Sequence, residues 1–137
     1  QPYCSANAFT APDAETGHIS HKRGMYKDTK IFFADIQLGA TWVKSRLFRP
    51  PHGRITPKQA KQLSKTYTVV LWDVITRDYD ASLSPQEVEK NALKYTRNGS
   101  IVVFHDSIKA QKNMQYVFPR VVKQWLSQGY KFATLND

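Results

Sequence analysis

From Asp28 to Lys44 apolar residues recur at helical spacing, at Ile31, Ala34, Leu38 and Val43, with Phe32 and Trp42 widening the face. The pattern predicts an amphipathic helix. A short apolar run, Arg46-Leu47-Phe48, follows and stops at Pro50-Pro51, which cannot continue a ladder. A second, polar helix is expected from Pro57 to Lys65. Tyr67 to Val74, "YTVVLWDV", is nearly all apolar and rich in β-branched and aromatic residues. That composition predicts a strand covered on both faces.

The next helix has the clearest start in the chain. Ser84 is the cap, Pro85 the first helical position, and Glu87 closes a capping box. Val88, Ala92, Leu93 and Tyr95 form its expected buried stripe, and Asn98-Gly99 ends it. Ser100 to Phe104 reads as another buried strand. A last helix carries Met114, Val117, Phe118, Val121, Val122, Trp125 and Leu126, and Gly129 stops it. Pro119 falls inside this pattern, where a helix kinks or begins. Tyr130 to Leu135 is expected as a closing strand. Up to residue 24 small and turn-forming residues dominate, with a short strand expected at Pro2–Ser5.

Strands that alternate with helices, each strand a continuous apolar run, point to parallel βαβ units in an α/β domain. In such sheets ligands gather at the carboxyl ends of the strands. Three segments follow strands in this chain: Arg49-Pro50-Pro51-His52-Gly53, Arg77-Asp78-Tyr79 and His105-Asp106-Ser107. An arginine, an aspartate and a histidine are thereby expected on one face of the sheet.

The length of 137 residues predicts a single domain, 1–137. No apolar run approaches the length of a membrane span, so a soluble chain without a membrane partner is expected. Cys4 is the one cysteine and forms no intrachain disulfide. Asn98-Gly99-Ser100 fits a glycosylation acceptor and, equally, a plain turn. The net charge of +9 is the unusual bulk property. Its lysines and arginines are scattered, at Lys22, Arg23, Lys58, Lys61, Lys65, Lys109, Lys112, Arg120 and Lys123. No RNP-type aromatic motif or zinc-finger spacing accompanies them, so nucleic acid is not the expected partner. A solvated basic surface and an acidic polymer partner are the two remaining readings.

Three stretches resemble the polysaccharide deacetylases (carbohydrate esterase family 4, the NodB homology domain). "RPPHGR" is similar to the family's arginine motif, "LWDVITRDYD" to its aspartate motif and "IVVFHDS" to its final histidine motif, in the family's order. The resemblance implies a partial or distorted (β/α) barrel with a mainly parallel sheet. It also implies metal-dependent hydrolysis of N- or O-acetyl groups on chitin-type glycans, peptidoglycan or xylan. The divalent metal, usually zinc, activates water there and polarises the acetyl carbonyl. By position, His105 would protonate the leaving amine, Asp78 would orient His105, and Arg49 would hold a catalytic base. Tyr79 and Val103 would wall the acetyl pocket. His52, where the family usually has Tyr, would offer a backbone N–H to the oxyanion.

"GHISHKRG" sets His18 and His21 three residues apart, whereas the family's metal pair is His-x-x-x-His. Residues three and four apart share a helix face, so the two histidines are either arms of a metal site or polar residues near a helix start. The family's first strand ends in Thr-Phe-Asp-Asp-Gly, which supplies the base and a third ligand; no Asp-Asp pair occurs in these 137 residues. The chain therefore reads as lacking that strand. Two functions follow: a deacetylase impaired as written, or a non-catalytic or truncated relative that binds glycans. An acidic-polymer binder is a third. An acetylated poly- or oligosaccharide is the implied partner, secretion or a periplasmic location the implied address, and a homodimer through an exposed sheet edge the implied assembly.

Overall fold

The computed structural model describes residues 28–41 and 45–135. The strand expected at Pro2–Ser5 lies outside them. Described residues up to Leu71 form one compact unit and those from Trp72 onward a second.

In the first unit the Asp28 side chain accepts a hydrogen bond from the Lys30 N–H at 2.7 Å and starts helix α1, Thr29–Ala40. The helix ends short of Lys44, where the Thr41 hydroxyl donates to the Leu38 carbonyl at 2.7 Å. Its buried stripe is Phe32, Ile36 and Gly39, while Ile31 and Leu38 are 54% and 51% exposed. Of the expected face, Phe32 is buried while Ile31, Ala34 and Leu38 are exposed; Trp42 and Val43 lie outside the described residues. Both triplets have helical spacing, and packing decides between them. Phe32 meets Phe48 edge-on at 6.2 Å and shares a core with Ile36 and Leu63.

Strand β1, Leu47–Phe48, pairs in parallel with β2, Thr68–Val69, with Leu47 opposite Thr68 and Phe48 opposite Val69. Between them lie a 3₁₀ turn at Pro51–Gly53 and helix α2, Pro57–Leu63. Thr56 and Gln59 form a reciprocal capping box, with backbone-to-side-chain bonds of 3.0 and 3.2 Å, so the buried Gln59 is satisfied at the helix start.

The run Tyr67 to Val74 is not one strand. Thr68–Val69 belongs to the first unit, and Val74–Ile75 forms β3 in the second. Leu71 between them is exposed. Asp73 is engaged by its side chain, which accepts from the Ser100 hydroxyl at 2.9 Å and the Ile101 N–H at 2.8 Å. The Val70 N–H donates to the Phe48 carbonyl at 2.8 Å and the Asp73 N–H to the Ile101 carbonyl at 3.3 Å, so the two ends of the run take different partner segments.

In the second unit β3 pairs in parallel with β4, Val102–Val103, with Val74 opposite Val102 and Ile75 opposite Val103. Helix α3, Pro85–Tyr95, and helix α4, Gln111–Ser127, pack with them around Val74, Val88, Ala92, Val102, Val117, Val121 and Trp125. Tyr95 is exposed rather than part of the stripe. Helix α4 runs through Pro119 without starting there. The turn after α3 carries Gly99 at φ 81, a conformation that suits glycine. The closing strand expected at Tyr130–Leu135 is reduced to a single bridge at Lys131, and Phe132 instead packs its ring against Trp125 at 6.2 Å.

The expected cap of α3 is present: Ser84 Oγ accepts from the Glu87 N–H at 3.3 Å, and the Glu87 carboxylate accepts from the Ser84 N–H at 2.7 Å. The Ser84 backbone N–H, then its hydroxyl, hold the Glu87 carboxyl below the usual carboxylate range. A depressed folded-state pKa stabilises above the unfolded value, and the contribution is lost as pH falls through the folded value. Ser84→Ala removes the hydroxyl that caps the Glu87 N–H and is expected to destabilise by about 1 kcal/mol at neutral pH. The difference from the parent should shrink as pH drops below the usual carboxylate range. Urea unfolding across that range measures it; a pH-independent difference would show that the Ser84 hydroxyl adds nothing to the hold that the backbone N–H keeps on the carboxylate.

Candidate functional site

Parallel pairing of β3 and β4 puts the segments after them side by side. Asp78 follows β3 after Thr76 and Arg77, and His105 follows β4 after Phe104. Thr76 is buried and ties the two segments together, its hydroxyl donating to the Val103 carbonyl at 2.9 Å. Arg77 then adopts φ 60, one of two non-glycine residues in the left-handed region among the described residues. Such a residue is strained by roughly 1–2 kcal/mol, and strain of this kind concentrates where function requires a particular geometry.

The turn is held from several sides. The Asp80 N–H donates to the Arg77 carbonyl at 3.0 Å, and the Arg77 guanidinium pairs with the Asp80 carboxylate. Asp80 also accepts from the Ser82 hydroxyl at 2.6 Å and the Ser82 N–H at 3.0 Å. The Ser82 bonds first, and then Arg77, hold the Asp80 carboxyl below the usual range. From α4, Asn113 Nδ2 donates to the carbonyls of Asp78 at 3.2 Å and Leu83 at 3.4 Å.

Asp78 is fully buried, and both of its carboxylate oxygens meet one residue. Oδ2 accepts the His105 backbone N–H at 2.7 Å and Oδ1 meets His105 Nδ1 at 2.7 Å. A carboxylate has no proton to donate, so Nδ1 carries the hydrogen and Nε2 is the ring nitrogen left for a ligand. The His105 side chain is 24% exposed, and the Tyr79 ring stands edge-on to it at 4.6 Å. One face of this arrangement therefore reaches solvent, while the carboxylate that orients it does not. Chemically, it is an imidazole fixed in one tautomer and one rotamer, able to give or take a proton at Nε2. Val103 is buried in β4 opposite Ile75.

Arg49 and His52 belong to the first unit. Arg49 follows β1 and is buried, 6% exposed. His52 is exposed and adopts φ 55, the second left-handed non-glycine residue, inside the turn that Pro50-Pro51 and Gly53 shape. His18 and His21 lie outside the described residues. Among the described residues, no group of three or more His, Cys, Asp or Glu side chains gathers to hold a metal ion. No helix among them is long and apolar enough to cross a membrane.

Asn113 is the residue that sequence reasoning missed. It heads the buried stripe of α4, in step with Val117, Val121 and Trp125. An amide at the head of an apolar stripe is the signal that could have found it, since buried polar groups have partners. Asn113→Ala leaves one buried and one part-buried carbonyl without this donor and is expected to destabilise the chain by roughly 1–3 kcal/mol. Denaturant unfolding checks it; a loss under about 0.5 kcal/mol, the level of a neutral surface change, would show that the carbonyls are satisfied otherwise.

No protein-family model matches the chain. It is 28% identical over 100 residues to a peptidoglycan-N-acetylglucosamine deacetylase of Bacillus cereus, a match covering 70% of this chain and 46% of that protein. The crystal structure of the Bc1960 peptidoglycan N-acetylglucosamine deacetylase superposes with a TM-score of 0.77 at 21% identity, covering 85% of this chain and 57% of that one. A BA3943 mutant, a carbohydrate esterase family 4 pseudoenzyme with restored enzymatic activity, superposes at 0.68 with 21% identity, covering 82% of this chain and 42% of that one. The chain thus spans about half the length of the relatives it matches. With parallel strand pairs between helices and superpositions of this quality, its α/β fold is that of the polysaccharide deacetylases, carbohydrate esterase family 4.

Proposed function

We propose that the chain carries the proton-donating part of a glycan deacetylase site, with His105 as general acid and Asp78 as the residue that positions it. The observation that supports this best is the buried Asp78 carboxylate bonded through both oxygens to His105. Hydrolysis of an N-acetyl group expels an amine, which is too basic to leave as an anion. A proton delivered from His105 Nε2 to that nitrogen, as the carbon–nitrogen bond breaks, removes the difficulty. Asp78 keeps the ring from turning away and balances the charge it acquires. Tyr79 and Val103 are proposed as the wall of the acetyl pocket. His52 is proposed as a backbone donor to the oxyanion, and Arg49 as the partner of a catalytic base.

A divalent metal, zinc by resemblance, would supply an activated water when bound; His18 and His21 are its proposed ligands in this chain. An acetylated glycan, of the kind named for the Bacillus cereus relative, is the proposed substrate. Secretion or a periplasmic location, and self-association through an unpaired sheet edge, belong with the same reading.

For the 137 residues taken by themselves a second reading, glycan binding without turnover, is favoured by one observation: they contain no Asp-Asp pair. The 137-residue chain by itself is accordingly expected to release acetate slowly even with zinc supplied, because general base catalysis contributes about 10²–10⁴-fold. Acetate release from an acetylated chito-oligosaccharide, with and without zinc, tests this. Turnover of about 1–10³ per second, the ordinary enzyme range, would show that another carboxylate completes the site.

A further inference from the structure

Three of the basic residues that the deacetylase reading leaves unused border one groove of the first unit. Lys58 and Lys61 lie one turn apart on α2 and Lys65 follows just after it, so the three share one side. They border a groove of about 470 Å³, lined by residues of α1, α2 and the turn after α2. Among the described residues no carboxylate lies within ion-pair distance of any of the three. Gln37 and Gln62 add amides to the lining, and Tyr67 an aromatic ring. Ile36 and Leu63, both buried, give the groove an apolar floor.

We propose that this groove binds a carboxylate-bearing glycan chain. The inference rests on the glycan reading above for the class of polymer and on the groove for its charge. Each lysine ammonium is a compact point charge with three donors, suited to separate carboxylates spaced along a polymer. Bidentate phosphate recognition favours arginine forks, and the groove lining has none. Single-stranded nucleic acid is tracked by successive base-stacking rings, whereas Phe33 and Tyr67 are the aromatic residues of this lining. Amides that donate and accept, beside a ring and an apolar floor, suit the alternating hydroxyl edges and C–H faces of sugars. The volume lies within the roughly 300–1,000 Å³ of ordinary ligand sites, enough for a short stretch of sugar units. The groove would hold acidic stretches of a polymer independently of the Asp78–His105 pair.

Calorimetric titration of the 137-residue chain with hexagalacturonate, with N-acetylchitohexaose and with a single-stranded oligonucleotide of matched charge tests the proposal. Hexagalacturonate should bind, and binding should weaken as salt is raised. The triple variant Lys58→Ala, Lys61→Ala, Lys65→Ala should lose at least about tenfold in affinity, from three exposed ion contacts removed together. The same three changed to Gln should behave alike, and circular dichroism should show both variants folded. Unchanged affinity in the folded variants, equal binding of the neutral oligosaccharide, or tighter binding of the oligonucleotide would overturn the proposal. Acetate release separates the two readings. If the slow release is unaffected by His105→Ala while lysine-dependent galacturonate binding persists, the deacetylase reading falls and the groove stands; lysine-independent binding with His105-dependent release does the reverse.

Discussion

His105→Ala is expected to lower the release of acetate from N-acetylated chito-oligosaccharides by about 10²–10⁴-fold, the range of a positioned general acid. The same substitution should have a much smaller effect on an aryl acetate whose phenolate leaves without protonation. The contrast follows from the geometry of one contact. Nδ1 of His105 is committed to the Asp78 carboxylate at 2.7 Å, so Nε2 is the nitrogen that can deliver a proton. An amine needs that proton to depart and a phenolate does not. Single-turnover rates at high protein concentration give the ratio even where the absolute rate is low. Equal losses on both substrates would mean that His105 acts on attack or on binding, and the acid role would be wrong. Asp78→Asn should lower amide hydrolysis in the same direction, because an NH2 then replaces one of the two accepting oxygens and faces either the backbone N–H or the Nδ1–H of His105, donor against donor.

The largest effect on stability is expected at Trp125→Ala, a loss of roughly 3–5 kcal/mol. Trp125 is 1% exposed and belongs to the core that contains Val74 of β3 and Val102 of β4. Its removal leaves a cavity beside the strands that carry Asp78 and His105, and strips Phe132 of its ring contact. Against a total of about 5–15 kcal/mol for a domain, that is a large share. Urea unfolding with tryptophan-independent detection measures it, and Trp125→Phe, which fills most of the volume, should recover much of the loss. A loss under about 1 kcal/mol for the Ala variant, well short of a core truncation, would contradict the packing of this unit.

Much of the local architecture was legible because it is local. The capping box Ser84–Glu87 and the turn at Asn98-Gly99 each depend on residues within a few positions of one another, and both stand in the structure. The parallel pairing of β3 with β4 followed from apolar runs separated by a helical pattern. That order places the segments after both strands next to each other, which is why Asp78 and His105 could be singled out together from a linear text.

What failed did so for want of long-range partners. Ile31, Ala34 and Leu38 repeat as a helix face should, but Phe32 and Ile36 repeat as well, and the rings of Phe48 and Leu63's side chain select the latter. The run from Tyr67 to Val74 is uniformly apolar, and hydropathy has no means of dividing it. Its two ends take different partners, Val70 the Phe48 carbonyl and Asp73 the Ile101 carbonyl, each distant along the chain. Tyr130 to Leu135 has strand composition but among the described residues forms a bridge at Lys131 alone, with Phe132 packed on Trp125. Asn113 was invisible as a positioning residue until the Asp78 and Leu83 carbonyls were seen to converge on it. The sequence alone determined the caps, the turns, the alternation of helices with short apolar runs, and the placing of Asp78 and His105 just after two of those runs. Tertiary structure decided which helix face is buried, where an apolar run is cut, and that both oxygens of Asp78 close on His105. Propensity acts between neighbours in the chain, whereas burial and hydrogen-bond satisfaction are settled only once distant segments share the same space.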